Sequence, residues 1–235
     1  MSAREDNSGS GMGNVNEFCS IGPVMIGPSS SHTAGAVKLG RLARAIVGHE
    51  PQEVEIVLYG SFAKTYKGHG TDKALVAGLL DLKVDDERIP DALEIAKQKS
   101  LHISFKKDED LPEGCHPNTV KFILKIGTKR RKIIGSSLGG GDVIVTEIDN
   151  YKKLKITGRY DTICIIHKNR PGIIRDVTAV IADFDINVNY LESITGTMGK
   201  IGYTFISVDQ DLPDEIVKRI NTIAGIDRTY LIRRL

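Results

Sequence analysis

The order of strand and helix patterns in the last third of the chain constrains the fold more than any other feature. Residues 158–235 alternate as βαββαβ, beginning with the strand pattern YDTICIIHK and a helix pattern from Gly172 to Phe184. The strand patterns INVNYLESI and GYTFISVD follow, then a helix after Pro213 and a last strand around Arg228 to Ile232. This order predicts a ferredoxin-like α+β domain, an architecture that serves many unrelated functions.

The preceding region predicts a larger α/β domain. The segment HTAGAVKLGRLARAIVG has apolar residues at helical spacing, and Gly48 is suited to end that helix. A buried strand is predicted over Glu53–Tyr59, and further helices are predicted from Asp72 and over 91–99. Four strand patterns then follow: LHISFKK, TVKFILKIG, RKIIGSSLGGG and DVIVTEID.

The short, polar and basic segment 151–158 separates these two regions, so we place the domain boundary there. We therefore expect a flexible N-terminal arm over residues 1–17, a first domain over 18–157 and a second domain over 158–235.

Composition excludes several classes of protein. Lys and Arg number 32 against 30 Asp and Glu, so the net charge of +2 gives no electrostatic reason to expect nucleic-acid binding. No apolar run approaches the ~20 residues of a membrane span, and the N-terminus lacks the apolar stretch of a secretory signal. Cys19, Cys115 and Cys164 are odd in number and widely spaced, which predicts neither a disulfide framework nor a complete metal site. We expect a cytoplasmic protein.

Two histidine-containing loops carry the candidate chemistry. The first supplies four hydroxyl groups and one histidine just before a predicted helix: Ser29, Ser30, Ser31, His32 and Thr33. Hydroxyl groups and the free N–H groups of a helix start can bind a carboxylate or phosphate, and histidine suits proton transfer near neutral pH. A helix cap beside a surface histidine is the alternative interpretation.

The second loop is KGHGTD, in which glycines flank His69 and let the backbone approach a ligand. Thr71 or Asp72 could cap the next helix or orient a histidine. Because both loops precede predicted helices of one domain, we expect them to meet at one edge of it. Two histidines with hydroxyl groups there would suit proton abstraction from a small carboxylic acid; an incidental histidine at a helix entry is the alternative.

Other polar features are assigned structural roles. These are the basic run 129–132, interpreted as a solvated hairpin turn, the glycine-rich turn 138–142, and four histidines: His49, His102, His116 and His167. The glycine-rich turn lacks the Lys-Ser/Thr pair of a phosphate-binding loop.

The blocks SIGPVMIGPSSSHTAGAVKLGRLAR and GSFAKTYKGHGTDKALVAGLLD resemble the β chain of bacterial iron–sulfur L-serine dehydratases, and this resemblance covers most of residues 18–157. The later segment HKNRPGIIRDVTAVIADFDINVNYLE resembles an ACT domain. The first domain also resembles the allosteric substrate-binding domain of some phosphoglycerate dehydrogenases.

The resemblance implies an L-serine ammonia-lyase that forms pyruvate and ammonia without pyridoxal phosphate. The implied cofactor is a [4Fe–4S] cluster with one open iron, held by a separate α chain, so no metal ligand is expected in this chain. The implied catalytic residues are His69 and His32. We favour His69 as the base and leave open which of the two removes the proton. The implied substrate-binding residues are Ser29, Ser30, Ser31, Thr33, Gly70 and Thr71.

The ACT resemblance implies either a ligand site or a dimer edge at the strand-to-helix turn formed by Asn169, Arg170, Pro171 and Gly172. We favour a β-chain homodimer and leave an amino-acid effector or a cation open. The alternative function is a non-catalytic regulatory module that binds serine or another anion through the serine-rich loop. The presence of His69 distinguishes the catalytic function from the regulatory one, because a purely anion-binding module needs no second histidine. A structural dimerisation protein ranks last.

Overall fold

Two β-sheets organise the part of the chain that this computed structural model describes, which is residues 24–108, 110–111, 113–149, 151–196 and 198–235. The expected flexible arm over 1–17 and Cys19 lie outside these residues. The α+β class expected from the sequence is confirmed: the chain forms a six-stranded sheet and then a four-stranded sheet, each with helices.

The first region begins with a π-helical turn over Ser30–Ala34. Its regular elements follow in chain order: α1 (Gly35–Val47), β1 (Glu53–Tyr59), α2 (Gly60–Thr65), α3 (Thr71–Leu79), a 3₁₀ turn (Ile89–Asp91), α4 (Ala92–Gln98), β2 (His102–Asp108), β3 (Thr119–Ile126), β4 (Lys129–Gly139), β5 (Asp142–Ile148) and β6 (Tyr151–Ile156).

The strands of the first region pair in the order β2-β1-β3-β4-β5-β6. The pair β1–β2 is parallel and the other pairs are antiparallel. A parallel pair needs a long crossover, and α2, α3 and α4 form it between β1 and β2. This crossover therefore places α2 and α3 directly after the carboxyl end of β1.

Close packing of α1 against α3 builds the core of the first region. A Cβ atom at Gly40 would lie 2.3 Å from Leu75 O, and one at Gly78 would lie 2.1 Å from Val37 O. Only glycine therefore fits at the two crossing points. The fully buried side chains around this contact include Leu39, Leu42, Leu75, Leu79 and Phe122.

Three local features of the first region differ from what the sequence indicated. The segment placed at the domain boundary contains strand β6, in which exposed lysines beside buried Leu154 and Ile156 hid the apolar pattern. The basic run 129–132 begins strand β4 rather than forming a turn. Its Arg131 forms an ion pair with Asp149, and its Lys132 forms one with Glu147. Helix α2 was not expected, because six residues are too few to show a helical period.

The second region has the expected ferredoxin-like order. Its elements are β7 (Asp161–Lys168), α5 (Ile173–Asp183), β8 (Val188–Thr195), β9 (Ile201–Val208), α6 (Asp214–Asn221) and β10 (Ile226–Ile232). The strands pair antiparallel in the order β10-β7-β9-β8. Apolar residues of α5 and α6 form a core with one face of this sheet, including Val177, Ile181, Ile216 and Ile220.

The other face of the second sheet joins the core of the first region. Cys164, Phe205 and Ile232 belong to the same buried cluster as Leu42 and Ile46. At this junction the Tyr151 and Tyr203 rings lie 4.0 Å apart between centroids. The two sheets therefore share a continuous apolar core.

A buried carboxylate fastens the end of the chain to the second sheet. Asp161 is 2% exposed and accepts hydrogen bonds from the backbone N–H groups of Leu212 and Arg234 and from the Arg233 guanidinium. Burial alone would raise the pKa of this carboxyl, but the three donors outweigh burial and hold the pKa below its ordinary value.

Replacing Asp161 with Asn is expected to lower the free energy of unfolding by about 2–3 kcal/mol, because the charged acceptor of three hydrogen bonds is lost. Since folding lowers the pKa of Asp161, its contribution is present above the unfolded-state pKa of about 3.9 and is lost as the pH falls through the folded-state value. Urea denaturation at several pH values measures both effects. The control is Asp211→Asn, which removes an exposed partner of Arg234 and should cost within about 0.5 kcal/mol. An equal loss of stability in Asp161→Asn and Asp211→Asn would contradict the role of Asp161 in holding the last residues on the second sheet.

Candidate active site

His32 lies in the π-helical turn and both of its ring nitrogens are held by serine hydroxyl groups. Its Nδ1 is 2.9 Å from Ser31 Oγ, and its Nε2 is 3.1 Å from Ser61 Oγ. The His32 backbone N–H donates to Ser29 Oγ at 3.1 Å, so Ser29 caps the π-helical turn, whereas α1 itself has no side-chain cap. The ring orientation of His32 is therefore fixed by two elements that are distant in sequence.

His69 approaches His32 from the second loop. The two ring centroids are 4.9 Å apart with their planes inclined by 60°. The His69 backbone N–H donates to Thr65 O at 3.1 Å, and Thr33 Oγ1 lies 3.5 Å from His69 O. The expected convergence of the two loops is thus confirmed.

Gly70 and Thr71 complete the second loop. Gly70 has φ +66°, and no heavy atom lies within 4 Å of the position that a Cβ atom would take there. Capping of α3, one of the two roles suggested for Thr71 and Asp72, is wrong, because the N-cap is Gly70 without a side-chain hydrogen bond. Thr71 Oγ1 is instead buried and without a hydrogen-bond partner.

Ser61 and Phe62 belong to the site but were missed by the sequence analysis. Both lie in α2, immediately after β1, and the Phe62 ring packs edge-on against His32 at 5.2 Å between centroids. The Ser61 N–H donates to Pro117 O at 2.8 Å, which ties α2 to the loop before β3. Their position after the carboxyl end of a strand with a parallel neighbour is the signal that could have identified them.

Burial is the main cause of a lowered pKa at His32, and the neighbouring His69 lowers it further. The neutral imidazole is therefore favoured near neutral pH, and it can accept a proton or a hydrogen bond. Its two serine partners can serve as donor or acceptor, so they satisfy the neutral ring in either tautomer.

A third segment reaches the site from β4. A Cβ atom at Gly35 would lie 2.1 Å from Ser137 Oγ, so this hydroxyl packs directly against the start of α1. Ser137 is fully buried, and its Oγ has no hydrogen-bond partner. The sequence analysis had placed this serine in a strand without a role.

Three buried polar atoms of these segments lack a partner within the described residues: His69 Nδ1, Thr71 Oγ1 and Ser137 Oγ. An unpaired buried polar atom costs free energy. The other hydroxyl groups of the first loop are those of Ser29, Ser30, Ser31 and Thr33.

Of the four remaining histidines, two make hydrogen bonds within the protein and two are exposed. His167 is 2% exposed; its Nδ1 is 3.0 Å from Lys168 O and its Nε2 is 2.9 Å from Thr204 Oγ1. His116 Nδ1 accepts a hydrogen bond from Asn118 N, and both His49 and His102 are exposed.

The turn predicted as an ACT ligand site or dimer edge uses its polar side chains internally. Asn169 Nδ2 donates to Gly199 O, and the Arg170 guanidinium donates to Ala224 O and pairs with Asp176. Pro171 and Gly172 complete the turn, with Gly172 at φ +82° as the N-cap of α5. Their role in ligand binding or dimerisation stays a prediction.

The described residues do not fit an iron–sulfur cluster. Cys115 is half-buried in the loop before β3, and Cys164 lies in the core shared by the sheets, where burial raises its thiol pKa to about 12. Within the described ranges, no three His, Cys, Asp or Glu side chains are arranged around a common metal position. In the same residues, no helix is long and apolar enough to cross a membrane.

Comparison with known proteins identifies relatives along nearly the whole chain. Residues 15–148 match the family described as serine dehydratase beta chain, and residues 162–225 match the ACT domain family. A probable L-serine dehydratase beta chain from Bacillus subtilis (strain 168) is 42% identical over 209 residues, which are 89% of this chain and 94% of that protein.

Two further relatives extend this comparison. The L-serine dehydratase beta chain of Peptoniphilus asaccharolyticus is 35% identical over 92% of this chain and 96% of that protein. A D-3-phosphoglycerate dehydrogenase from Synechocystis sp. is 22% identical over 84% of this chain, which spans 35% of the length of that enzyme.

Substituting Ala at Gly35 is expected to destabilise the protein by about 1–3 kcal/mol, because the new methyl group would overlap Ser137. The double variant Gly35→Ala/Ser137→Gly should recover most of that loss, because it removes both Ser137 atoms that the methyl group would meet. Denaturation of the two single variants and the double variant measures the coupling. If the loss of stability in the double variant equalled the sum of the losses in the two single variants, the contact between Gly35 and Ser137 would be contradicted.

The lowered pKa of His32 predicts a pH-dependent contribution to stability. Folding favours neutral His32, so its contribution is present above the ordinary value of 6.5 and is lost as the pH falls through the lower folded-state pKa. Between about pH 8 and about pH 5, wild type should therefore lose more thermal stability than His32→Gln. If the thermal stability of the two proteins fell equally between these pH values, the lowered pKa of His32 would be refuted.

Proposed function

The chain belongs to the family of L-serine dehydratase β chains, and from that premise we propose that it contributes His32 and His69 to an active site that converts L-serine to pyruvate and ammonia. One observation carries the proposal: the buried, unpartnered Nδ1 of His69 beside a histidine whose ring is already fixed. A purely anion-binding loop does not require this second imidazole.

His69 is assigned to removal of the α-proton of L-serine. Its Nδ1 has no hydrogen-bond partner within the described residues, and no heavy atom lies within 4 Å of the position that a Cβ atom would take at the adjacent Gly70. Loss of the α-proton and of the β-hydroxyl gives an enamine, which tautomerises and hydrolyses to pyruvate and ammonia. Assistance to the leaving hydroxyl group is not assigned to any residue of this chain.

His32 is assigned to orienting the substrate or sharing the proton. Ser31 and Ser61 hold its ring, and burial favours its neutral form. A neutral imidazole next to His69 also avoids the repulsion of two imidazolium ions, which would oppose protonation of the base.

The substrate carboxylate is assigned to the hydroxyl groups of the two loops. Charge grows on the carboxylate as the α-carbon loses its proton, so fixed donors there stabilise the transition state. Ser29 accepts from His32 N and can still donate its own O–H, so Ser29, Ser30, Ser31 and Thr71 are assigned as donors toward the carboxylate, whereas Thr33 Oγ1 already donates to His69 O.

The partners follow from the family resemblance. We assign the [4Fe–4S] cluster to an α chain, since the described cysteines do not fit it. We further propose that the ACT region pairs two β chains and that the assembly works in the cytoplasm. We retain residues 18–157 and 158–235 as the two functional domains.

Pyruvate formation from L-serine with reconstituted α chain under anaerobic conditions tests the catalytic proposal. His69→Ala should lower kcat by at least about 100-fold, as expected when a general base is removed. The matched control is His102→Ala, which removes an exposed histidine of β2 and should retain wild-type activity.

Co-purification of each variant with the α chain shows whether the complex still assembles. Full activity with His69→Ala, or with the α chain alone, would overturn the catalytic role. Either result would favour the alternative in which this chain only binds an anion and regulates.

A further inference from the structure

Four side chains at the first histidine loop form a continuous chain of polar contacts. Ser29 Oγ lies 3.3 Å from Ser31 Oγ, and Ser31 Oγ lies 2.9 Å from Nδ1 of His32. On the other side of the ring, Nε2 of His32 lies 3.1 Å from Ser61 Oγ, which belongs to α2. Hydroxyl groups of the chain itself therefore engage both ring nitrogens of His32.

The neighbouring imidazole of His69 is in a different position. Its Nδ1 is buried and has no hydrogen-bond partner within the described residues. A base that removes a proton from carbon needs a ring nitrogen whose lone pair faces that carbon. His69 meets this requirement with Nδ1, whereas each nitrogen of His32 already faces a serine hydroxyl group.

The position of Ser61 is itself fixed by backbone contacts. Its N–H donates to Pro117 O at 2.8 Å, and its carbonyl oxygen accepts a hydrogen bond from Thr65 Oγ1 at 2.9 Å. The carbonyl oxygen of Thr65 accepts from the His69 N–H at 3.1 Å. Helix α2 thus connects the hydroxyl group that contacts His32 with the backbone of His69, so one short helix positions both imidazoles.

The number of available hydrogens sets the direction of these hydrogen bonds. A serine hydroxyl group carries one hydrogen, and a neutral imidazole carries one, on either Nδ1 or Nε2. Ser31 is among the donors assigned to the substrate carboxylate, which is charged and forms stronger hydrogen bonds than a neutral nitrogen. Once Ser31 donates to the carboxylate, its oxygen can only accept from His32, so Nδ1 carries the hydrogen. Nε2 is then an acceptor, and Ser61 supplies its donor.

We propose that Ser61 is a positioning residue that donates to Nε2 of His32 and holds the ring as the Nδ1–H tautomer while L-serine is bound. In the resulting chain, Ser61 donates to His32, His32 to Ser31 and Ser31 to the carboxylate, and each donor polarises the next. His32 then orients the substrate and takes no proton from it, which leaves proton removal to His69. The proposal rests on the proposed function, through the assignment of the carboxylate to the serine-rich loop.

The tautomer of His32 is measured by ¹⁵N NMR of the full chain with labelled histidine, without the α chain and therefore without turnover. With saturating L-serine at about pH 8, where imidazole is neutral, the hydrogen of His32 should be on Nδ1. Ser61→Ala should lose this single tautomer, and Ser61→Thr, which keeps a hydroxyl group, should restore it. A hydrogen on Nε2 in the wild type, or an unchanged tautomer in Ser61→Ala, would overturn the proposal.

The matched control is Ser207→Ala, which removes a buried serine hydroxyl group 2.8 Å from Thr162 Oγ1 in the second sheet. It also costs one hydrogen bond between hydroxyl groups, but it should leave the tautomer of His32 unchanged. In the complex with reconstituted α chain, Ser61→Ala should lower kcat/KM for L-serine at least about tenfold and Ser207→Ala less than about twofold.

An equal loss of kcat/KM in Ser61→Ala and Ser207→Ala would overturn the positioning role of Ser61. The tautomer is read without catalysis, so this result does not depend on whether His69→Ala abolishes activity. Failure of His69 as the base and failure of Ser61 as the positioning residue are therefore distinguishable.

Discussion

The close packing of α1 against α3 determines where the histidines lie. The π-helical turn with His32 leads directly into α1, and the loop with His69 leads directly into α3. Because Gly40 and Gly78 let the helix backbones touch, the two helix starts lie side by side and their rings meet at 4.9 Å. Any larger residue at either glycine would separate the helices and, with them, the two imidazoles. The proposed chemistry thus depends on backbone contacts inside an apolar core.

The second sheet is built onto that same core. Cys164, Phe205 and Ile232 pack into the cluster that α1 helps to form, and the Tyr151–Tyr203 contact lies at the junction. A change in how the ACT region packs would therefore move α1 and the π-helical turn before it, which contains His32.

Much of the fold could be predicted from periodicity and turn residues, and the failures have physical causes. Strand β6 was hidden because its exposed positions are lysines, and its buried residues Leu154 and Ile156 are only two. The histidines were recognisable because each lies in a glycine- or serine-rich loop before a helix. Ser61 and Ser137 could not be recognised, because an isolated serine in a helix or strand has no local sequence signal. Only contacts between distant segments bring their hydroxyl groups close to the two loops.

The most direct test of a shared active site is ¹⁵N NMR of the histidine side chains in the complex with the α chain. Only this chain carries the ¹⁵N label. Addition of L-serine should perturb the imidazole resonances of His69 and His32 and leave exposed His102 unchanged. That result would place the substrate between the two loops. Perturbation confined to His167, in the second sheet, would contradict the account and place serine in the ACT region instead.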